Sequence, residues 1–414
     1  MPLKEVAGLI LAGGQSSRLF PFNKVLSDMT GSGKTLLQQA RARLKHFPAG
    51  RIFALTTRDM AASVKQQIKL PARQILVDPV RRGTWPAILW AMAHLRRHGP
   101  GTVMAVLTGD HLIQDEKAFQ QSLRSAIELA RLSPAIVMMG IPPRGDPREW
   151  CGFGCFQVDA GGHVVQFQEK PTLEEARRMG GEGGWLWNSG MFFFRISTAE
   201  EALRRLQPGM YSVYDAMSNA IMAGKKEEAS RIFGDFPEKI PHPLDPSRSV
   251  DNSIDYAIMT LLVKRPSADL SAQAVHGVHF RWTDLGQWDA LRSVVKPDSR
   301  GNFRVGKTVL KGDVRDCILV AQEGHTIEAD GVRGLIVAFA NRTALVVATP
   351  HLAQVKEAAH AAIRHADRVL MEHNVTGSEF RVSRGRVIAV GLSGISLELT
   401  GARLVVSTKR SFIR

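Results

Sequence analysis

Apolar runs alternate with helix-period segments over the first third of the chain. Strand-like runs at Val6–Leu11, Arg51–Thr56, Gln74–Val77, Val103–Leu107 and Ala135–Met139 are separated by helical patterns. These lie near Thr35–His46, Met60–Gln67, Trp85–Arg97 and Glu116–Leu132. Period-3.6 stripes between short continuous apolar runs predict strand–helix–strand units and a mostly parallel mixed sheet joined by right-handed crossovers, a Rossmann-like α/β fold. Ligands of such sheets sit beyond the carboxyl ends of the strands. Two polar junctions fall there, Gly13 to Arg18 and Thr108-Gly109-Asp110.

After about residue 293 the texture changes. Short runs such as Ile318-Leu319-Val320, Leu335-Ile336-Val337 and Leu345-Val346-Val347 are divided by Gly and Asp. This predicts a smaller β-rich domain, with a left-handed β-helix as one form such a coiled stack of turns takes. A helix is expected near residues 352–373, and strands return over Phe380–Leu404. The expected division is a catalytic domain at 1–292 and a β-rich domain at 293–414. Neither strong internal repeats nor low-complexity tracts stand out.

Composition narrows the function classes. The 414 residues exceed one average domain, which agrees with two cores. Cys151, Cys155 and Cys317 are odd in number and form no Cys-x-x-Cys, so neither a disulfide framework nor a zinc site is expected. No run has the apolar length of a membrane span, and the first residues do not read as a secretory signal; a soluble cytoplasmic protein is expected. The net charge of +15 favours anionic ligands. The basic residues are dispersed and no nucleic-acid-binding signature occurs, so nucleic acid is not the expected partner. The oligomeric state is left open, a homo-oligomer being one form it can take.

The candidate chemistry lies in separated motifs. The strand Val6–Leu11 runs into Ala12-Gly13-Gly14-Gln15-Ser16-Ser17-Arg18, where glycines let backbone N–H groups approach phosphates and Arg18 adds a permanent charge; the plain alternative is a tight turn. Asp110 ends a buried-type strand and Asp284 precedes a glycine turn. Both suit Mg2+, and both suit the blander roles of helix cap and Asx turn. Glu169-Lys170-Pro171 closes a strand with an acceptor beside a point cation, or is a solvated hairpin end. Asn188 sets an amide at the mouth of a very apolar strand, able to read hydroxyls.

Taken together the motifs GLILAGGQSSRL (8–19), DPVRRGTWPAI (78–88), LTGDHLI (107–113), GIPP (140–143), FQEKP (167–171), WNSGMF (187–192), SIDYAIM (253–259) and RWTDLGQWDAL (281–291) resemble, in order, those of mannose-1-phosphate guanylyltransferases, within the sugar-1-phosphate nucleotidyltransferases. The resemblance spans residues 6 to about 292, with weaker similarity to about 350. It implies transfer of GMP from GTP to mannose 1-phosphate, with Mg2+. It implies that Leu11, Ala12, Gly13, Gly14, Arg18, Arg82, Thr84 and Gly109 hold the nucleotide and that Asp110 and Asp284 bind the metal. Gly152, Glu169, Lys170 and Asn188 are implied for the sugar phosphate. Asp255 matches a family position and also reads as a helix-start residue.

The chain departs from the family in three places. Ser16 stands for a usual glycine, Gly83-Thr84-Trp85 for Asn-Thr-Ala, and Lys24 follows Arg18 by only six residues. Lys24 is therefore the first candidate for the phosphate lysine and Lys34 the alternative. Residues 374–414 lack the clustered histidines of the isomerase module in bifunctional relatives. Two rival readings remain: a P-loop ending in Gly31-Ser32-Gly33-Lys34-Thr35, whose required preceding glycine is replaced by Asp28, and a non-catalytic binder of sugar nucleotides. A nucleotidyltransferase for another hexose 1-phosphate or nucleotide is the alternative within the class.

Overall fold

The structure is a computed structural model that describes residues 3–14, 17–265, 267, 269–275, 280–364, 369–372 and 375–408. The chain divides into two compact units that interleave in sequence. The first takes Met1–Gly13, Ala40–Gly109 and Ile113–Trp282, and the second Gly14–Gln39, Asp110–Leu112 and Thr283–Arg414. Among the described residues no helix is long and apolar enough to cross a membrane.

The first unit is built on one sheet. Seven of its nine strands lie in the order Ser271–Val275, Ala135–Ile141, Trp185–Arg195, Val103–Thr108, Val6–Leu11, Ile52–Thr56 and Ile75–Val77, and Gly154–Val158 and Val164–Glu169 join it off this path. The neighbours of Val6–Leu11 are parallel to it, as are the pairs Ile52–Thr56 with Ile75–Val77 and Ser271–Val275 with Ala135–Ile141. Trp185–Arg195 runs antiparallel to Val103–Thr108, Ala135–Ile141 and Gly154–Val158, so the sheet is mixed, with its principal order mostly parallel as expected. That strand carries Phe192, Phe193 and Phe194 fully inside. Burial on both sheet faces explains its unbroken apolar run, and each ring contributes roughly 1.5–3 kcal/mol.

The expected helices appear at Leu36–Arg43, Ala61–Ile68, Thr84–Leu95 and Glu116–Leu132. Glu116–Leu132 begins where the Asp115 carboxylate accepts from Ala118 N at 3.0 Å, satisfying one of the orphan donors of its first turn. Its buried stripe is Phe119, Leu123, Ala126, Ile127 and Ala130, a 3.6-residue rhythm facing the sheet.

In the second unit the chain passes back and forth between two sheets. Phe303–Val305, Ile318–Ala321 and Leu335–Ala340 join one, while Lys307–Lys311 and Thr326–Asp330 join the other, each pairing in parallel with its predecessor. Two antiparallel hairpins interrupt the coil, Leu335–Ala340 with Thr343–Ala348 and Ile395–Thr400 with Arg403–Thr408. Ile318 and Val320 enter one apolar cluster with Trp288 and Val355, whereas Leu319 and Ala321 enter another with Ile327 and Leu404. Alternate residues of a single strand thus serve two cores, which explains runs with no polar interruption.

The helix expected over 352–373 is shorter. A 3-10 turn at Thr349–Gln354 leads into Val355–Arg364, and Val369–Glu372 is instead a strand parallel to Arg386–Val390. A run as short as Val369-Leu370-Met371 following a helix has no period of its own, and it is pairing with a distant strand that decides its state.

Candidate active site

The glycine-rich junction is held by the sheet from which it emerges. Ala12 N donates to Leu55 O at 2.8 Å, Thr56 Oγ1 to Ala12 O at 2.8 Å, and Gly109 N to Leu11 O at 2.8 Å. Leu11 closes its strand, and Ala12 and Gly109 continue the ladder just past the strand ends, where the first unit carries Gly13. In the second unit Gly14 is exposed, Gln15 and Ser16 lie outside the described residues, and Arg18 stands exposed on a 3-10 turn beside buried Leu19.

The loop after Ile75–Val77 holds Arg82 and Thr84. Arg82 is committed to the backbone, its Nε and Nη2 donating to Gly234 O at 3.2 and 2.9 Å. Thr84 opens the helix Thr84–Leu95. The same loop contains Asp78, which sequence reasoning passed over. Burial pushes its carboxyl up to about 7 against the opposing charge of Arg81, and its buried Oδ1 has no hydrogen-bond partner among the described residues. Its signal was an acid placed directly after a strand.

Lys24 and Asp110 meet within the second unit. Lys24 is buried, and its Nζ donates to Asp110 Oδ2 at 2.9 Å. Asn23 Oδ1 fixes the turn by accepting from the N–H groups of Val25 and Leu26. Burial alone would raise the Asp110 carboxyl. The Lys24 ammonium, His111 and the hydrogen bonds that it accepts outweigh burial and hold it below the ordinary carboxylate range. Asp110 is thus an anion at neutral pH.

Lys34 is exposed on a different kind of loop. The Asp28 carboxylate accepts from the N–H groups of Thr30, Ser32 and Gly33, at 3.1, 3.2 and 2.6 Å. The nest a P-loop would offer to phosphate is filled by this internal carboxylate.

Asp284 forms an Asx turn, Oδ1 accepting from Gly286 N at 2.8 Å across Leu285 in the left-handed region. Among the described residues no group of three or more His, Cys, Asp or Glu forms a ready cage. Mg2+ is typically held by one or two carboxylates together with substrate phosphates and water. The hard oxygen donors of Asp110 and Asp284 fit that mode.

A second constellation lies wholly in the first unit. Glu169 ends the strand Val164–Glu169, opposite Gly154 of Gly154–Val158. A Cβ on Gly154 would collide with Glu169 Oε2, so the glycine is what lets the carboxylate lie against the backbone. Lys170 then turns into the left-handed region at φ 48°, its N–H donating to Phe153 O at 3.1 Å and its Nζ lying 3.5 Å from Glu169 Oε1. Gly152 lies in the preceding turn, where its N–H donates to Glu149 O at 3.2 Å.

Asn188 lies inside the strand Trp185–Arg195 rather than at its mouth. The register shifts between Met138 and Gly140 on the partner strand, and Gly190 at φ 67° marks the bulge that re-aims the chain. Asn188 Nδ2 donates to Asp255 Oδ1 at 2.7 Å. Burial raises the carboxyl groups of both Glu169 and Asp255, and at Glu169 the neighbouring Asp255 adds to the rise while Lys170 opposes it. Asp255, left open between helix start and family position, is therefore part of this constellation and also opens the π-helical turn Asp255–Met259. Phe153, Trp187 and Trp282 form an aromatic wall at centroid separations of 5.1, 5.2 and 6.5 Å.

Comparison with known proteins agrees with these motifs. The Nucleotidyl transferase family model matches residues 7–300, and the chain belongs to that family. It is 30% identical to the alginate biosynthesis protein AlgA of Pseudomonas syringae pv. tomato, the match covering 80% of this chain and 66% of the relative. It is 29% identical to a mannose-1-phosphate guanylyltransferase of Escherichia coli, over 84% of this chain and 72% of that protein. The chain thus spans just under two thirds of the AlgA length. A crystal structure described as a mannose-1-phosphate geranyltransferase from Thermus thermophilus superposes with a TM-score of 0.69 at 25% identity, covering 87% of this chain and 99% of that one.

Proposed function

We propose that this chain transfers GMP from GTP to mannose 1-phosphate, releasing pyrophosphate and giving GDP-mannose. The observation that carries this reading is the pairing of buried Lys24 with the half-buried carboxylate of Asp110, an anion beside a cation, in a nucleotidyl transferase whose relatives include a named mannose-1-phosphate guanylyltransferase.

An oxygen of the sugar phosphate attacks the α-phosphorus of GTP, and the bond from that phosphorus to the bridging oxygen breaks as pyrophosphate leaves. The attacking oxygen is already anionic, so no protein nucleophile is required. The work of the chain is to bring mutually repelling anions into line and to offset charge as it develops. Gly13, Gly14 and Arg18 receive the triphosphate, Lys24 supplies a fixed cation, and Glu169 and Lys170 orient the sugar and its phosphate. Asp110 and Asp284 would hold Mg2+, which when bound neutralises phosphate charge and polarises the reacting phosphorus.

The test is pyrophosphate release with Mg2+ and with chelator, crossing GTP, ATP, UTP and dTTP against mannose, glucose and N-acetylglucosamine 1-phosphates. Release that requires GTP, mannose 1-phosphate and metal is the expected outcome. Release with another pair would move the specificity while keeping the chemistry, and silence across the matrix with nucleotide binding retained would make the chain a binding-only relative.

A further inference from the structure

Asn188 is committed at both ends of its amide. Its Nδ2 donates to Asp255 Oδ1 at 2.7 Å, and its Oδ1 accepts from Gly190 N at 3.0 Å. An amide pinned in this way has one orientation, and the group it presents is the Asp255 carboxylate. Asp255 is fixed from its own side as well, because Thr260 Oγ1 donates to its carbonyl at 2.9 Å and closes the π-helical turn. π-helical turns of this kind gather at functional sites.

Two further features give the place the character of a sugar subsite. A Cβ built on Gly154 would collide with Glu169 Oε2 and lie 3.5 Å from Asn188 Cβ, so the residue whose amide holds Asp255 at 2.7 Å lies close to the Glu169 carboxylate, which has Lys170 Nζ at 3.5 Å; two acceptors and a cation come together. Next to them, Phe153 passes its carbonyl to Lys170 N, and Trp187 immediately precedes Asn188 in a wall that Trp282 completes. A pyranose offers hydroxyls at its edge and C–H groups on its face, which match a carboxylate pair beside aromatic rings.

We propose that Asp255 is a second carboxylate acceptor for the hydroxyls of the hexose phosphate, paired with Glu169, and that Asn188 acts through it as a positioning residue. The inference rests on the nucleotidyl-transfer reading above and reassigns the amide first read as the hydroxyl contact. A carboxyl that burial inclines to keep its proton also donates, so the pair can match either polarity of a hydroxyl without placing two full charges near the incoming phosphate.

Asp255→Asn, Asn188→Ala, Asn188→Asp and the double variant Asn188→Ala/Asp255→Asn test it by steady-state kinetics, with thermal unfolding run alongside. Asp255→Asn should raise KM for the sugar phosphate about tenfold while kcat and the nucleotide KM stay within about twofold. Asn188→Ala should show the same signature more weakly, and the double variant should be no worse than Asp255→Asn, because a residue acting through another adds nothing once that other is gone. Asn188→Asp sets like charge against Asp255 and should exceed Asn188→Ala, a comparison that stands even if Asp255→Asn does not fold. Multiplying effects in the double variant, or Asn188→Asp retaining normal sugar affinity, would overturn the positioning role. An unchanged sugar-phosphate KM in folded Asp255→Asn would remove Asp255 from the subsite. Failure of the unaltered protein to bind or turn over any hexose 1-phosphate would instead overturn the nucleotidyl-transfer reading itself.

Discussion

Lys24 Nζ lies 2.9 Å from Asp110 Oδ2, and the lysine that makes this contact is buried. Removing the carboxylate takes this negative charge from beside a buried ammonium, so Asp110→Asn should cost about 1–3 kcal/mol in stability and reduce turnover at least about a hundredfold. The folded carboxyl is held below its ordinary range, so its contribution is present above about pH 4 and disappears as pH falls through the folded value. The variant should therefore show a flatter acid limb than the parent in urea unfolding, and an unchanged limb would mean that the pair carries no linkage. Among the described residues Asp284 makes no such ion pair. Asp284→Asn should keep stability within about 1 kcal/mol while shifting the Mg2+ dependence of turnover to higher metal.

Lys170 contrasts with Lys24 in exposure. Its ammonium stands in solvent 3.5 Å from Glu169, so its loss barely touches stability. Lys170→Ala should raise the sugar-phosphate KM about tenfold or more and leave the nucleotide KM nearly unchanged. An effect confined to the nucleotide would reverse the assignment of substrates.

The loop at Lys34 gives the opposite expectation to that of a phosphate-binding P-loop. Because Asp28 already accepts from Thr30, Ser32 and Gly33, Lys34→Ala should leave nucleotide binding within about twofold of the parent. Asp28→Ala should lower stability by about 1–2 kcal/mol through three orphaned N–H groups, offset in part where water reaches them. Calorimetric titration with GTP decides the first expectation and urea unfolding the second. Abolished binding in Lys34→Ala would restore the P-loop reading.

Much of the parallel sheet was legible because its strands and helices carry distinct local periods, and Glu116–Leu132 falls where the pattern placed it. The antiparallel course of Trp185–Arg195 was not legible, because strand direction is decided by partners distant in sequence. The strand Val369–Glu372 was hidden for the same reason. At the candidate site, glycine turns and strand-end carboxylates pointed to Asp110, Asp284 and Glu169. What the chain could not reveal were relations between side chains far apart in sequence, such as the grip of Asn188 on Asp255 or the commitment of Arg82 to Gly234 O. Asp78 was overlooked because an acid before a proline reads as a turn, and only burial separates it from one.

That burial makes Asp78 the place where stability and function can be separated. Its carboxyl is raised from 3.8 to about 7, chiefly by burial. Below about pH 4 the group is neutral whether the chain is folded or unfolded, and it carries no penalty. As pH rises towards about 7 the unfolded chain gives up the proton while the folded chain retains it, so stability falls, and above about 7 the full cost of the buried charge persists. Asp78→Asn keeps the shape and removes the charge. It should be more stable than the parent by roughly 1–3 kcal/mol at pH 8, with the gain vanishing near pH 4, as read by urea unfolding at both. An equal gain at the two pH values would trace the effect to a new amide hydrogen bond and not to the proton. If turnover falls in the variant while stability rises, the buried acid is held at a cost to the fold for the sake of the reaction, the pattern expected of functional groups set in unfavourable surroundings.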